Sequence, residues 1–391
     1  MRSSLLLFSS RTVLYALFRQ RQKTVLLLLT TLTFQAVAQQ NNRNAIEEYM
    51  QAQVKVNHFN GNVLVAKNGD IVYQKAFGLA NYDTKEPLQL NSVFNLASVT
   101  KQFTAMGILL LKEKGKLILS DSLRKFLPEL PYSDITLHQL LTHTSGLPDY
   151  MSVLEPKWDH KKVAFNNDMI RFLAAEKPPV HFKPGQKYEY SNTGFALLAS
   201  VIERVSGQTF GEYMAQNIFT PLGMTRTRVF NTRRAARETI PDYAAGFVYV
   251  PKLKRYVSAD SLPNVDYVHY LDGIQGQGRI HSTVGDLWKW DRALKNPTLL
   301  SEATQREMLS PQVLSDTLHK AYYGYGVGVS KSGNGAVFSH TGGWPGFATV
   351  LIHYEEGDVT VIVLSNNVSP SNAIGNDLVA LVFGKSIALP K

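Results

Sequence analysis

The sequence predicts an α/β (α+β) fold: an antiparallel sheet built from both chain ends, flanked by helices, with a mainly helical lobe over about residues 120–270. Three observations predict it. Two strand patterns follow one another near the start, Gly61-Asn62-Val63-Leu64-Val65-Ala66 and Ile71-Val72-Tyr73-Gln74-Lys75-Ala76-Phe77, with the hairpin dipeptide Asn68-Gly69 between them. Strand patterns return from Tyr325 onward. In between, short helical segments alternate with Pro- and Gly-bearing loops. At 391 residues, 44% of them hydrophobic and 18% charged, the chain can bury a large core.

In chain order, residues 1–38 read as a targeting leader. A basic region ends at Lys23, an apolar run Thr24–Phe34 follows, and Ala36-Val37-Ala38 supplies a small-x-small cleavage pattern, which predicts cleavage before Gln39. The apolar run is about half the ~20 residues a spanning helix needs, so no stable membrane span is expected once the leader is removed. Asn44–His58 has the apolar spacing of an amphipathic helix. A loop containing Pro87 leads to an apolar helix after Ser98, expected to stop near Gly115. Thr193–Val205 is the next clear helix, stopped by Gly207, and Phe210–Phe219 another, ended by Pro221 and Gly223. The late strands are expected at Gly326–Ser330, Gly335–Ser339, Phe347–Tyr354 and Val359–Ser365, with Glu356-Gly357-Asp358 turning the last pair. A helix around Asn372–Phe383 closes the chain.

The formal charge of +10 first suggests an anionic partner. Yet Arg2, Arg11, Arg19, Arg21 and Lys23 all precede residue 39 and no acid does, so residues 39–391 carry +5 without a long basic run. Nothing supports nucleic-acid binding. With no cysteine, disulfides, thiolate catalysis and cysteine-ligated metals are excluded.

The chemistry centres on Ser98-Val99-Thr100-Lys101. At helical spacing Lys101 lies one turn from Ser98 on the same face. A lysine whose pKa is lowered by burial can take a serine's proton, and a helix start favours a developing oxyanion. The pattern alone is weak: Ser122-Leu123-Arg124-Lys125 repeats it in a polar segment that reads as a solvated face. Two further stretches single out Ser98. Tyr190-Ser191-Asn192 opens the Thr193 helix, where a phenol can relay a proton and an amide can hold a substrate carbonyl or position Lys101. His340-Thr341-Gly342-Gly343 ends the Gly335 strand, where a small residue lets substrate lie along a strand edge.

In this order the three stretches resemble the serine β-lactamase and penicillin-binding-protein superfamily. The resemblance is strongest to the branch holding class C β-lactamases, D-alanyl-D-alanine carboxypeptidases, D-aminopeptidases and related esterases, and it covers nearly all of residues 45–385. Ile135–Leu147, Phe182-Lys183-Pro184-Gly185, Pro221-Leu222-Gly223-Met224 and Ser282–Leu287 agree with it. It implies a β-lactamase/transpeptidase-like fold in which Ser98 is acylated. Lys101 and Tyr190 would share the proton transfers, with the base left open between them. Asn192 would bind the substrate's carbonyl side, and the backbone N–H groups of Ser98 and Gly343 would form an oxyanion hole. His340 would face the acyl-enzyme, and no metal or organic cofactor is implied.

Departures bear on substrate. His340 stands where β-lactamases and penicillin-binding proteins usually carry lysine, so the charge there is conditional. This shifts weight from β-lactams toward peptides and esters. Asn95 and Ala97 stand where class C enzymes have glutamate and glycine. Arg279 is read as either a substrate-carboxylate contact or a surface salt bridge, and His143 as a buried hydrogen-bonding residue. The glycine-rich Tyr322–Gly328 is expected to be a strand packed close to other backbone. The resulting expectation is an exported, periplasmic or secreted serine hydrolase forming a Ser98 acyl-enzyme on D-amino-acid peptides, peptidoglycan fragments or small esters. The alternatives are a class C-type β-lactamase, or a catalytically silent relative that binds peptidoglycan or another partner.

Overall fold

The computed structural model describes residue 40 and residues 42–232, 239–333 and 335–391. The expected leader and its cleavage point lie outside the described residues. An eight-stranded antiparallel sheet organises the molecule. Its strands run in the spatial order Val313–Asp316, Ala321–Tyr323, Gly328–Ser332, Gly335–Trp344, Phe347–Tyr354, Val359–Ser365, Gly61–Lys67 and Asp70–Phe77. The two chain ends meet where Gly61–Lys67 pairs with Val359–Ser365, Val63 opposite Val363. The first hairpin turns on Asn68 and Gly69, both at positive φ, as a two-residue turn between twisted strands requires.

Side-chain alternation sorts the sheet into two faces. Val63, Val65, Val350, Ile352, Val361 and Val363 pack under the helix over 42–57 and the closing helix Ser371–Val382, together with Ile46, Tyr49, Ile374 and Leu378. Leu64, Ala66, Leu351, Ile362 and Leu364 face the other way, onto helix Val284–Lys295 and into the core shared with helix Thr100–Glu113. Helix Thr100–Glu113 is buried at every position from Thr100 to Leu111, its polar first turns with Lys101, Gln102 and Thr104 included, so it has no solvent face. It links the sheet to helices Leu137–Leu141, Asn166–Glu176, Asn192–Ser206 and Phe210–Met214, whose apolar residues continue the same core. Among the described residues no helix is long and apolar enough to cross a membrane.

Most expected elements appear within a residue or two. Three readings are corrected. The strand expected at Gly335–Ser339 does not stop at Ser339: Gly335–Trp344 runs straight through His340-Thr341-Gly342-Gly343, Gly342 paired with Thr349 and Gly343 with Ala348. Tyr322–Gly328 is not one strand; it breaks between Ala321–Tyr323 and Gly328–Ser332, and Gly326 comes against the Lys101 carbonyl. The Phe210 helix also changes pitch, continuing past Met214 as a wider π turn over Ala215–Phe219.

Candidate active site

Ser98 sits in a single 3-10 turn, Ala97–Val99, that opens helix Thr100–Glu113. The turn is pinned from both sides. The Asn95 side chain accepts the Ala97 N–H at 2.9 Å, and the Thr349 hydroxyl donates to the Leu96 carbonyl at 2.9 Å. Ala97 has φ 47°, a left-handed conformation that costs a residue with a Cβ roughly 1–2 kcal/mol. Strand Gly335–Trp344 presses on this turn. A Cβ at Gly342 would lie 2.3 Å from both the Leu96 carbonyl and the Thr349 hydroxyl. The close approach therefore falls at Gly342, while Gly343 borders open space.

Lys101 is fully buried, and its amine is surrounded by three oxygens at 3.0 Å: Ser98 Oγ, Asn192 Oδ1 and the Gln277 carbonyl. The two carbonyl-type oxygens can only accept, so two N–H bonds are committed to them. The remaining position on Nζ faces the serine hydroxyl. When the lysine is neutral, that position is its lone pair. Burial brings its pKa down from 10.5 to about 7, with the nearby Asp149 carboxylate holding it up in part. Gln277 reaches the lysine because Gly276, at φ 103°, lets the loop press on helix Asn192–Ser206, where a Cβ would meet the Phe195 carbonyl at 2.5 Å.

Asn192 is turned inward. Its Oδ1 accepts from Lys101 and its Nδ2 donates to Asp149 Oδ2 at 2.9 Å. Of the two roles open to it from sequence, the hydrogen bonds are those of a lysine-positioning amide. Asp149 went unnoticed in the sequence because Pro148-Asp149 reads as an ordinary helix cap. It is one, accepting the Met151 N–H at 2.9 Å, but its second oxygen serves the site.

The Tyr190 hydroxyl is close enough to Ser98 for the serine side chain to offset part of the effect of burial on its pKa, while the residue as a whole stays 40% exposed. Burial of the hydroxyl raises its pKa, so the phenol is neutral near pH 7. Behind it lies an aromatic support. The His143 ring sits 4.3 Å from that of Tyr190 and 4.7 Å from that of Tyr323. His143 Nδ1 accepts the Ser191 N–H at 3.0 Å, so this buried residue also fixes the loop carrying Tyr190.

His340 belongs to this support and not to the cleft wall. Its Nδ1 lies 2.7 Å from the Thr341 carbonyl, which can only accept, so Nδ1 carries the proton. Nε2 then accepts from the Tyr323 hydroxyl at 2.9 Å. Burial, reinforced by the charge of Lys101, lowers its pKa to about 3. The expected conditional cation facing the acyl-enzyme is therefore a neutral, buried ring. Arg279 is corrected as well. It is 3% exposed, paired with equally buried Asp272 at 3.3 Å, and its guanidinium stands 4.3 Å from the Trp344 ring centroid. This is a buried salt bridge in the cleft wall, not a surface one. Ser122, the second candidate serine, caps a 3-10 turn, while Lys125 pairs with Asp121 at 2.8 Å on the surface.

The cleft above Ser98 has a volume of about 660 Å³. Tyr190, Asn192 and Gly343 line it with Ser98, and its outer wall is apolar, including Met151, Val248, Tyr267, Trp344 and Phe347.

A model of the beta-lactamase family matches residues 42–383. The chain belongs to the beta-lactamase family. It is 40% identical over 356 residues to a penicillin-binding protein of Bacillus subtilis (strain 168), covering 90% of this chain and 78% of that protein. A D-aminopeptidase of Gluconobacter oxydans (strain 621H) is 24% identical over 324 residues, which are 83% of this chain and 59% of that longer protein. Among solved structures, a penicillin-binding protein from Bacillus halodurans superimposes with a TM-score of 0.75 at 28% identity, over 85% of this chain and 98% of that one. This family membership makes the chain a serine hydrolase of the β-lactamase and penicillin-binding-protein type.

Proposed function

We propose that the protein is an exported hydrolase that forms a Ser98 acyl-enzyme on D-amino-acid peptides, peptidoglycan fragments or small esters. The observation that carries this reading is the Lys101 amine, held by two acceptors so that its third position meets Ser98 Oγ at 3.0 Å. With a pKa of about 7, Lys101 is the base and Tyr190, whose pKa is raised, is the proton donor. Ser98 Oγ attacks the substrate carbonyl carbon as its proton passes to Lys101 Nζ. The oxyanion is received by the backbone N–H groups of Ser98 and Gly343. The leaving nitrogen or oxygen takes a proton through Tyr190, the scissile bond breaks, and water then releases the acyl group by the same steps in reverse.

The cleft supports a ranking among substrates. Its cationic groups, Lys101 and Arg279, are both engaged by the protein, and its outer wall is apolar. An apolar acyl group with an uncharged leaving group fits that lining better than a substrate held by its carboxylate. The D-aminopeptidase relative supports D-configured amides, and the penicillin-binding relative supports peptidoglycan fragments.

A fluorophosphonate or penicillin probe followed by intact mass tests the nucleophile: one adduct on Ser98, absent in Ser98→Ala, is the expected result. An unmodified mass with both probes overturns the reading in favour of a binding module. Turnover is then compared among nitrocefin, a D-Ala-D-Ala peptide, D- and L-phenylalanine amides and a short nitrophenyl ester. Fast nitrocefin hydrolysis beside slow turnover of the rest overturns the ranking. Export rests on the leader pattern, and secretion of a mature chain beginning at Gln39 is its test.

A further inference from the structure

His143 takes no part in the proton transfers, yet it holds the segment that carries the proton donor. It follows helix Leu137–Leu141 and meets the Tyr190 segment at three points. Its carbonyl accepts the Glu189 N–H at 2.9 Å, its Nδ1 accepts the Ser191 N–H at 3.0 Å, and its ring lies 4.3 Å from that of Tyr190. One residue therefore fixes the backbone both before and after Tyr190. The clamp continues into the site. Ser191 Oγ caps helix Asn192–Ser206 by accepting the Gly194 N–H at 3.4 Å, and Asn192 Oδ1 accepts from Lys101.

Packing alone does not explain a histidine here. A backbone N–H can only donate, so Nδ1 is the acceptor and the neutral ring carries its proton on Nε2. Nε2 is buried without a hydrogen-bond partner among the described residues, and the rings of Tyr188, Tyr190, Phe195 and Tyr323 surround the imidazole. A phenylalanine would fill the same space without stranding a donor. His143 also has φ 56°, a left-handed conformation uncommon for a residue with a Cβ. Both costs fall on the residue that supplies the Nδ1 acceptor. Burial, with the charges of Lys101 and His340 opposing a further one, keeps the ring neutral and that acceptor open.

We propose that His143 is a positioning residue for proton donation to the leaving group, holding the backbone around Tyr190 so that the phenol stays close to Ser98. At 1% exposure it acts through Tyr190 and not on the substrate. The proposal rests on the Ser98 acyl-enzyme reading, with Tyr190 as the donor.

Two esters with one acyl group test it: ethyl butyrate, whose ethoxide needs a proton to leave, and p-nitrophenyl butyrate, whose nitrophenolate does not. In His143→Ala, kcat/KM should fall roughly thirtyfold or more for ethyl butyrate and by no more than about threefold for the nitrophenyl ester. His143→Asn keeps an acceptor at the δ position and suits the left-handed backbone, so it should recover at least about threefold of the ethyl butyrate loss. In a Tyr190→Phe background, His143→Ala should cost ethyl butyrate no more than about twofold, because the hydroxyl it positions is already gone. If His143→Ala folds poorly, His143→Asn carries the test, since loss of the ring must still cost ethyl butyrate more than the nitrophenyl ester. Equal losses on the two esters, or a full further loss in the Tyr190→Phe background, overturn the positioning role while fluorophosphonate labelling of Ser98 persists. A wild-type protein that the fluorophosphonate leaves unlabelled overturns the Ser98 reading, and the proposal with it.

Discussion

If Lys101 is the base, its pKa sets the acid limb of acylation, and Asp149→Asn moves that limb. The substitution is nearly isosteric. An asparagine oxygen can still accept from Asn192 Nδ2, now at 2.9 Å from the carboxylate, so the inward orientation of Asn192 is retained. What disappears is a negative charge. The contact chain from Asp149 Oδ2 through the Asn192 amide to Lys101 Nζ, with bonds of 2.9 and 3.0 Å, caps the separation of the charges at about 8 Å. At an effective dielectric of about 20, that separation is worth about 2 kcal/mol, or about 1.5 pKa units. The carboxylate favours the ammonium, so its loss lowers the lysine pKa from about 7 to about 5.5.

The sign follows directly. A buried lysine is the active base when neutral, so the labelling rate rises with pH through its pKa and levels above it. In the wild type about a tenth of Lys101 is neutral one unit below its pKa of about 7; in Asp149→Asn about three quarters is neutral at the same pH. The second-order rate of fluorophosphonate labelling at pH 6, divided by its plateau value, should rise by that ratio. The plateau itself should fall, because a weaker base transfers the proton less readily. An inflection that stays in place, or moves to higher pH, refutes the assignment of Lys101 as the base whose charge Asp149 tunes.

Other perturbations separate positioning from packing. Gly342→Ala should destabilise by about 1–3 kcal/mol in urea unfolding, because its Cβ has no room against Leu96 and Thr349. Gly343→Ala should leave stability within about 0.5 kcal/mol while slowing acylation, since its methyl group projects into open cleft. Ala97→Gly should raise the urea midpoint, with a gain of up to about 1 kcal/mol, by relieving the left-handed alanine. His340→Lys should lose about 3–5 kcal/mol and lower the melting temperature steeply, because it buries a second ammonium near Lys101.

Local signals were legible where the backbone itself demands a residue type. Asn68-Gly69 and Gly207 marked their turn and helix end, and Phe347–Tyr354 and Val359–Ser365 have the bounds their alternation suggests. The strand through His340 was cut short because two glycines usually punctuate; here pairing with Ala348 and Thr349 overrides that local preference. Strand Val313–Asp316 left no trace, being short and half-exposed at the sheet edge, and Ala321–Tyr323 was legible only as part of the longer Tyr322–Gly328 pattern. In the site, the Ser98–Lys101 spacing is local and visible. Asp149 and Gln277 are not, since one hides behind a helix cap and the other acts through its backbone carbonyl, which no side chain advertises.

The residue that most altered the reading is His340. From sequence it is a weakened substitute for a substrate-facing lysine. In the structure its two nitrogens are spent on Thr341 and Tyr323, and Tyr323 in turn packs at a tilt against the His143 ring that backs Tyr190. A lysine here would add a positive charge beside the Lys101 amine and drive its pKa further down. A neutral histidine spares it that repulsion and leaves the tuning of Lys101 to burial and Asp149. The same exchange withdraws a fixed cation from substrate recognition. On this reading the base and the substrate preference are linked: restoring charge at 340 to capture a carboxylate would weaken the base that must attack it. A charge-neutral probe such as His340→Gln separates the two effects. It should leave the labelling inflection within about 0.3 units of wild type, since neither side chain is charged at neutral pH. A shift of a full unit or more would show that His340 bears charge during acylation and would refute the linkage.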